Sequence, residues 1–523
     1  MSIVLPSLRT ATCSGIDLDH NTAMELFLLG VIVAFLGLLY KVLQILIQGR
    51  NALPHIPGPW YTRYTSLGFY INGIIPRVHI WVDHLHHQYG PVVRIAPNMV
   101  AVADPDGVAD IFRSSRGYLK GPIYDSFLRS FFAERNPALH GQRRRLFARP
   151  LANSSLQASW APEIRQRVAL AVKRIKADAL ATGEGDAYKW YNIMTNDVVT
   201  RISFGESLNL LESDEHLPYI EAVKKTIRCV SLHRNFPRIM PLAKYLPIPR
   251  LQEILNARPK VEKYTAKAVQ NFRARIDKDQ DNTAGTSRNI FTQIVAQAED
   301  QDAKAILAIT DEDVHEEALT LMLGGTDSTS STLTYATWAV LRHPEIREEL
   351  EKEVAALSDE LSSKELEQAR LLNAVIHETM RLYGAVSVGL QRVVPPSGAH
   401  IAGFDLAPGT LVWPQMYTTR YDPSIWPDPL KFDPSRFLDV KLPSMAEGNL
   451  TPTQKKVYVP FGGGTRMCLG INLAYLELRL GLALFFRECK GARLSKSMSA
   501  EEMVHDNFFV SSPKGRRCMI TLE

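Results

Sequence analysis

The sequence predicts a mainly α-helical chain: one large helical domain with a small β-rich region, preceded by a single N-terminal transmembrane helix. Three observations carry this prediction. An apolar run, Ala23 to Tyr40, lies near the start; helical periodicity dominates from Asp104 to Tyr383; and strand signals are confined to short segments on either side of that stretch.

Composition narrows the field before any motif is read. With 523 residues, 46% hydrophobic, 22% charged and 9% aromatic, the chain is neither disordered, collagenous nor a coiled coil. A formal charge of +5 over this length argues against nucleic acid as a partner. The cysteines, Cys13, Cys229, Cys468, Cys489 and Cys518, are scattered and odd in number, with no Cys-x-x-Cys pair. They suggest a reduced compartment, not a disulfide framework or a zinc ribbon.

The chain divides into an N-terminal segment on the lumenal side (1–22), a transmembrane anchor (23–47), a proline-rich hinge (48–59) and one compact domain (60–523). Eighteen helical residues from Ala23 span about 27 Å, close to a thin hydrocarbon layer, and apolar character continues to Ile47. A cleaved signal peptide would need a basic leader and a small-residue cleavage site, and neither is evident. Asp17, Asp19 and Glu25 precede or open the run, whereas Lys41, Arg50, Arg63 and Arg77 follow it, which puts the rest of the chain in the cytosol. The expected location is therefore the endoplasmic reticulum membrane, crossed once. Pro54 to Trp60, with three prolines and a glycine, excludes helix and reads as a stiff connector. A second apolar patch, Phe236 to Pro249, has too many prolines to span and either dips into lipid or packs as a buried loop.

Val92 to Ile95 and Val100 to Ala103, separated by Pro97-Asn98, read as a hairpin, and strand signals return from Val386 to Trp413. The longest helix runs from a cap at Thr310 to Arg342. Its middle, Leu323-Gly324-Gly325-Thr326-Asp327-Ser328-Thr329, is a poor choice for helix. Two readings compete. The paired glycines admit another helix, with the polar groups satisfied locally; or they open the helix beside a flat ligand, while Asp327 and Ser328 offer a carboxylate and an alcohol for proton delivery.

Phe461-Gly-Gly-Gly464-Thr-Arg466-Met-Cys468-Leu-Gly470 is a glycine-rich loop running into an apolar helix, Ile471 to Phe486. Cys468 lies at the helix mouth, where backbone N–H groups favour a thiolate, and the glycines permit close approach of a broad planar ligand. A nucleotide-binding loop would need a Lys-Ser/Thr after the glycines and a strand before them, so a thiolate metal ligand is the better chemistry.

The pattern Phe-x-x-Gly-x-Arg-x-Cys-x-Gly, matched by Phe461, Gly464, Arg466, Cys468 and Gly470, resembles the haem-binding loop of the cytochrome P450 family. Glu378-Thr-Met-Arg381 resembles that family's Glu-x-x-Arg helix, Phe432-Asp-Pro-Ser-Arg436-Phe437 its Arg-bearing segment, and the Gly-Gly-Thr-Asp-Ser-Thr window its oxygen-activating helix. The resemblance covers nearly the whole chain. It implies the cytochrome P450 fold and a haem-thiolate monooxygenase: haem b with Cys468 as axial ligand, an apolar organic substrate, and electrons from NADPH through a flavoprotein reductase. It further implies a structural triad of Glu378, Arg381 and Arg436, and propionate contacts from Arg466, Arg144, Arg392 and His140, the last standing where the family usually has Trp. Proton delivery falls to Asp327, Ser328 and Thr329, with Ser328 in place of the usual Thr. Arg143 to Arg145, with Arg149, suggests docking of the acidic electron donor. Pocket walls are expected around Tyr124 and Phe127, Ala318 to Gly325, Ala385 to Leu390 and Phe508-Phe509, and the wording of the hinge resembles fungal members that tailor secondary metabolites.

Two other readings remain: a haem-thiolate isomerase or dehydratase acting without reductase, for which Ser328 is a mild hint, and a non-catalytic haem sensor. His79, His84, His86 and His87 crowd together, but they read as the water-facing rings of a first helix leading into the hairpin, not as a metal site.

Overall fold

In the computed structural model, the described residues are 53–127, 129–205, 209–212, 240–259, 311–440, 448–507 and 509–522, with scattered positions at 28–47, 221–233 and 261–291. About half of the expected anchor (23–47) lies outside them. Among the described residues no helix is long and apolar enough to cross a membrane.

A mixed sheet and a helical body divide the work. The sheet contains β1 (Val92–Ala96), β2 (Met99–Val102), β3 (Leu119–Lys120), β4 (Arg392–Val393) and β5 (Leu411–Pro414), in the order β1-β2-β5-β4-β3. The expected hairpin is β1–β2, with Val92 opposite Val102 and an irregularity between Arg94 and Ala96. Only β2–β5 is parallel. Val386 to Trp413 contributes β4, β5 and the small ribbon Ala399–Ile401/Phe404–Leu406.

The proline-rich segment does not stand off as a connector. Arg94, buried in β1, donates to the carbonyls of Leu53 (3.0 Å) and Ile56 (2.7 Å), and its backbone N–H donates to Pro57 O (2.7 Å). Arg94 thus ties this segment to β1 through both its guanidinium and its backbone N–H.

Six helices position the site: α1 (Pro137–Ala148), α2 (Ala161–Thr182), α3 (Ala187–Phe204), α4 (Asp311–Leu341), α5 (Arg370–Tyr383) and α6 (Ile471–Glu488). Helix α4 is 31 residues long, about 47 Å, and its most extensive contact is with α3. Thr310, its expected cap, lies outside the described residues. One continuous core joins α1–α6, and sixteen of the eighteen residues of α3 are buried. A helix so placed must be hydrophobic or internally satisfied all round, and its Thr195 and Thr200 hydroxyls accordingly donate to backbone carbonyls one turn back.

The histidine cluster is not uniformly wet. His79 and His86 are buried, and burial pushes both rings down to about 4, so they are neutral packing groups. His84 and His87 face outward.

Candidate active site

A cavity of about 360 Å³, within the ~300–1,000 Å³ usual for ligand pockets, lies between α4 and the loop before α6. Cys468 opens into it. Protein surrounds the thiol on its other sides, and burial pushes it up, opposed by the Gly470 N–H and the Arg144 charge. Its own N–H donates to Phe461 O at 3.0 Å, which closes the loop. Phe461 and Gly470 line the cavity, whereas Gly464 does not: at φ +64° it tucks against the Phe112–Ser114 backbone, where a Cβ would come within 2.5 Å of Phe112 O. The glycine at 464 thus serves the loop's seat on its neighbour and not the approach of a ligand.

One wall is cationic. Arg144, from α1, donates to Met467 O (2.7 Å), and Arg466 donates to the carbonyls of Glu134 (2.6 Å) and Arg135 (3.3 Å). Beside them is Lys120, at the end of β3, bonded to Phe132 O and lying over the Tyr124 and Phe132 rings. Burial, compounded by the neighbouring guanidinium charges, lowers Lys120 well below the usual lysine range and Arg466 to about 10. No carboxylate forms a salt bridge with Lys120, Arg144 or Arg466 among the described residues. A buried cluster of like charges with only carbonyl partners is costly alone and fits a dianionic ligand edge. His140 lines the same wall, held neutral at about 3 by burial and by these cations. Arg392 does not reach the cavity; it stands behind the wall against Tyr124 Oη (3.3 Å) and backbone carbonyls. The sequence does not single out Lys120, one lysine in the two-residue strand Leu119–Lys120, and only the tertiary fold brings it beside Arg466.

The opposite wall is α4, and here the two glycines differ: Gly325 answers to the close-packing reading, and of the other reading only the cavity-facing position of Gly324 is seen. A Cβ on Gly325 would meet Val199 Cγ2 of α3 at 2.5 Å, whereas Gly324 faces open cavity space. The helix itself is not opened, because α4 is continuous through both. Gly325→Ala is expected to cost about 1–3 kcal/mol of overpacking, while Gly324→Ala gains about 0.5–1 kcal/mol of helix propensity. Opposite shifts in melting temperature would verify this, and equal shifts would refute it.

Ser328 and Thr329 line the cavity; Asp327 does not. The Ser328 hydroxyl donates to Gly324 O at 2.8 Å. The Asp327 carboxylate is buried toward α3, where Asn192 Nδ2 donates to it at 2.9 Å. Of the expected pocket walls, Phe127, Thr320 to Gly325 in part, Ala385, Val386, Leu390 and Phe509 line the cavity, Tyr124 lies behind it, and Phe508 is outside the described residues. Glu477 of α6 was missed as well. The residue borders the cavity, its carboxylate oxygens are buried without a hydrogen-bond partner among the described residues, and burial pushes the group well above the usual carboxylate range. The signal was available, since Glu477 is the one carboxylate in the mostly apolar run Ile471 to Phe486.

The basic run divides. Arg143 turns inward to Asp313 (2.8 Å) and Glu317 (3.3 Å), and Arg144 to the Cys468 loop, which leaves Arg145 and Arg149 exposed. Burial lifts Glu317 to about 8, against the Phe131 N–H and Arg143. Because this is above the ordinary value of 4.5, the folded state is penalised progressively as pH rises from about 4.5 to about 8. Glu317→Gln should therefore gain stability relative to the parent across that window and level off above it, as denaturant titrations at pH 5 and pH 8.5 would reveal.

A solitary thiol, a carboxylate-seeking cationic wall and a hydroxyl-bearing helix across an apolar cavity define a haem-thiolate protein. A family model for Cytochrome P450 matches residues 57–518, and the chain belongs to that family. It is 35% identical over 485 residues to Cytochrome P450 monooxygenase stcB of Emericella nidulans, covering 90% of this chain and 88% of that one. It is 34% identical over 492 residues to Cytochrome P450 monooxygenase aflV of Aspergillus parasiticus, covering 92% and 94%. To Cytochrome P450 monooxygenase cypX of Dothistroma septosporum it is 33% identical over 505 residues, covering 94% and 95%. The protein is thus an oxidoreductase of the monooxygenase class, with haem iron held by a thiolate.

Proposed function

We propose that the chain inserts one oxygen atom from O2 into an apolar substrate of fungal secondary metabolism, at the endoplasmic reticulum membrane, with electrons from NADPH supplied by a flavoprotein reductase. The observation that carries the chemistry is the Cys468 thiol opening into a cavity whose far wall presents Ser328 and Thr329. Fungal monooxygenase relatives covering nine-tenths of the chain support the metabolic setting. The apolar run 23–47 and the charge reversal across it support a single-pass anchor with the domain in the cytosol. Exposed Leu67, Ile71, Ile74 and Ile75, and exposed Leu242, Tyr245, Leu246 and Ile248, are apolar surface of the kind that rests on lipid. Arg145 and Arg149 remain for the electron donor.

Haem held at this site would supply the O2-activating chemistry of the family. Cys468 would supply the thiolate ligand, and Arg144, Arg466, Lys120 and His140, which line the same cavity, would hold the propionates. The largely apolar lining excludes bulk water and retains the substrate. Protons arrive from the α3 side: Asp327, held by Asn192, is the inner reservoir, and the Ser328 and Thr329 hydroxyls hand protons to the cavity.

The test is the carbon monoxide difference spectrum of the reduced membrane-bound protein. A Soret band far to the red establishes the thiolate ligand, and a histidine-type band overturns it. Asp327→Asn is expected to slow NADPH-dependent turnover on the order of 10²-fold with more peroxide released. Unchanged product yield per NADPH would remove Asp327 from the path.

A further inference from the structure

Residues 129–131 have no regular secondary structure, and Ser130 and Phe131 line the cavity. Backbone N–H groups in such a segment need partners from elsewhere. Two adjacent carboxylates near the start of α4 supply them. Arg129 N–H donates to Glu316 Oε2 at 3.2 Å, and Phe131 N–H donates to Glu317 Oε1 at 2.8 Å. Each carboxylate is itself braced: Arg258 donates to Glu316 Oε1 (2.9 Å), and Arg143, already tied to Asp313, donates to Glu317 Oε1 (3.3 Å) and to Arg129 O (3.4 Å). One turn further along α4, Thr320 and Leu321 face the cavity. The clasp therefore joins the irregular wall of the cavity to its helical wall.

We propose that Glu316 and Glu317 are positioning residues of the substrate pocket: by accepting the Arg129 and Phe131 N–H groups they fix segment 129–131 against α4 and thereby set the shape of the apolar molecule the cavity accepts. This rests on the cavity being the oxygenation pocket. The clasp is also built to let go. Glu317 Oε2 is buried without a hydrogen-bond partner, so the closed arrangement leaves one oxygen unsatisfied that water would satisfy on opening. Arg129 is exposed and loses little by moving. Phe131, packed on Phe147 at 5.0 Å, supplies the apolar counterweight that holds the segment shut.

The experiment uses the full-length haem-loaded protein and compares the parent with Glu316→Ala, Glu317→Ala, the double variant and Glu317→Gln, which keeps an acceptor oxygen. Amide hydrogen exchange of the peptide containing 129–131 is read alongside optical titration with two nitrogen ligands of different bulk, pyridine and 4-phenylpyridine. Exchange should accelerate on the order of tenfold in the double variant, less in each single alanine variant, and return toward the parent in Glu317→Gln. The ratio of the two dissociation constants should narrow in the same order. Unchanged exchange and an unchanged ratio, in variants that keep the thiolate-type carbon monoxide band, overturn the proposal. Absence of that band from the parent overturns the underlying reading instead, and exchange, which needs no ligand, still reports on the clasp.

Discussion

Cys468→Ala is expected to abolish the red-shifted carbon monoxide band and to reduce NADPH-dependent oxidation to background. Among the described residues no other thiol lines the cavity; Cys489 and Cys518 are buried elsewhere, and burial raises both far above the reactive range. Removing the sulfur leaves the cationic wall intact, because Arg144 and Arg466 donate their hydrogen bonds to backbone carbonyls that the side-chain substitution does not remove. The variant should therefore still fold and retain some haem, held by its propionates, with a changed spectrum. That combination separates loss of the ligand from loss of the fold. A variant that kept the thiolate-type band would exclude Cys468 as the ligand.

Glu378→Ala carries the largest expected effect on stability. Glu378 and Arg381, three apart on α5, are both fully buried and paired at 2.7 and 2.8 Å through two oxygens. The remaining valences are also filled. Arg381 donates to the carbonyls of Arg420 and Pro429 (2.9 Å each), Glu378 accepts the Asp433 N–H (2.9 Å), and Arg436 approaches Glu378 at 3.6 Å. The pair thus pins the irregular stretch 420–436, which has little regular structure of its own, to α5. Removing one partner strands a charge in the interior and is expected to cost about 3–5 kcal/mol, a large part of the ~5–15 kcal/mol that holds a typical domain together. Denaturant unfolding followed by Trp fluorescence would measure it, and haem content should fall in parallel. A loss below about 1 kcal/mol, the scale of an exposed pair, would show that the stretch is held by other contacts.

The elements that could be read from the chain are those whose cause is local. The hairpin follows from two β-branched runs around Pro97-Asn98, the long helix from periodicity, and the Cys468 loop from glycines and a thiol in fixed spacing ahead of an apolar helix. Side-chain direction was less legible. Asp327, Ser328 and Thr329 are consecutive, so at roughly 100° per residue they cannot all share a face, yet nothing in the window says which of them meets α3. The same ambiguity covered Gly324 and Gly325, and it separated Arg143 from Arg144, neighbours that turn to opposite walls of one cavity.

The sequence by itself determined the class of chemistry, because a thiolate ligand loop and a Glu-x-x-Arg helix are local patterns of residue type and spacing. Only the tertiary structure decided which side chains meet. Lys120 stands 346 positions before Arg466 in the chain, and Glu317 lies 186 positions from the Phe131 N–H it accepts. Such pairs are brought together by sheet order and helix packing, and their burial, which sets both their charge state and their worth, has no counterpart in any short window of sequence.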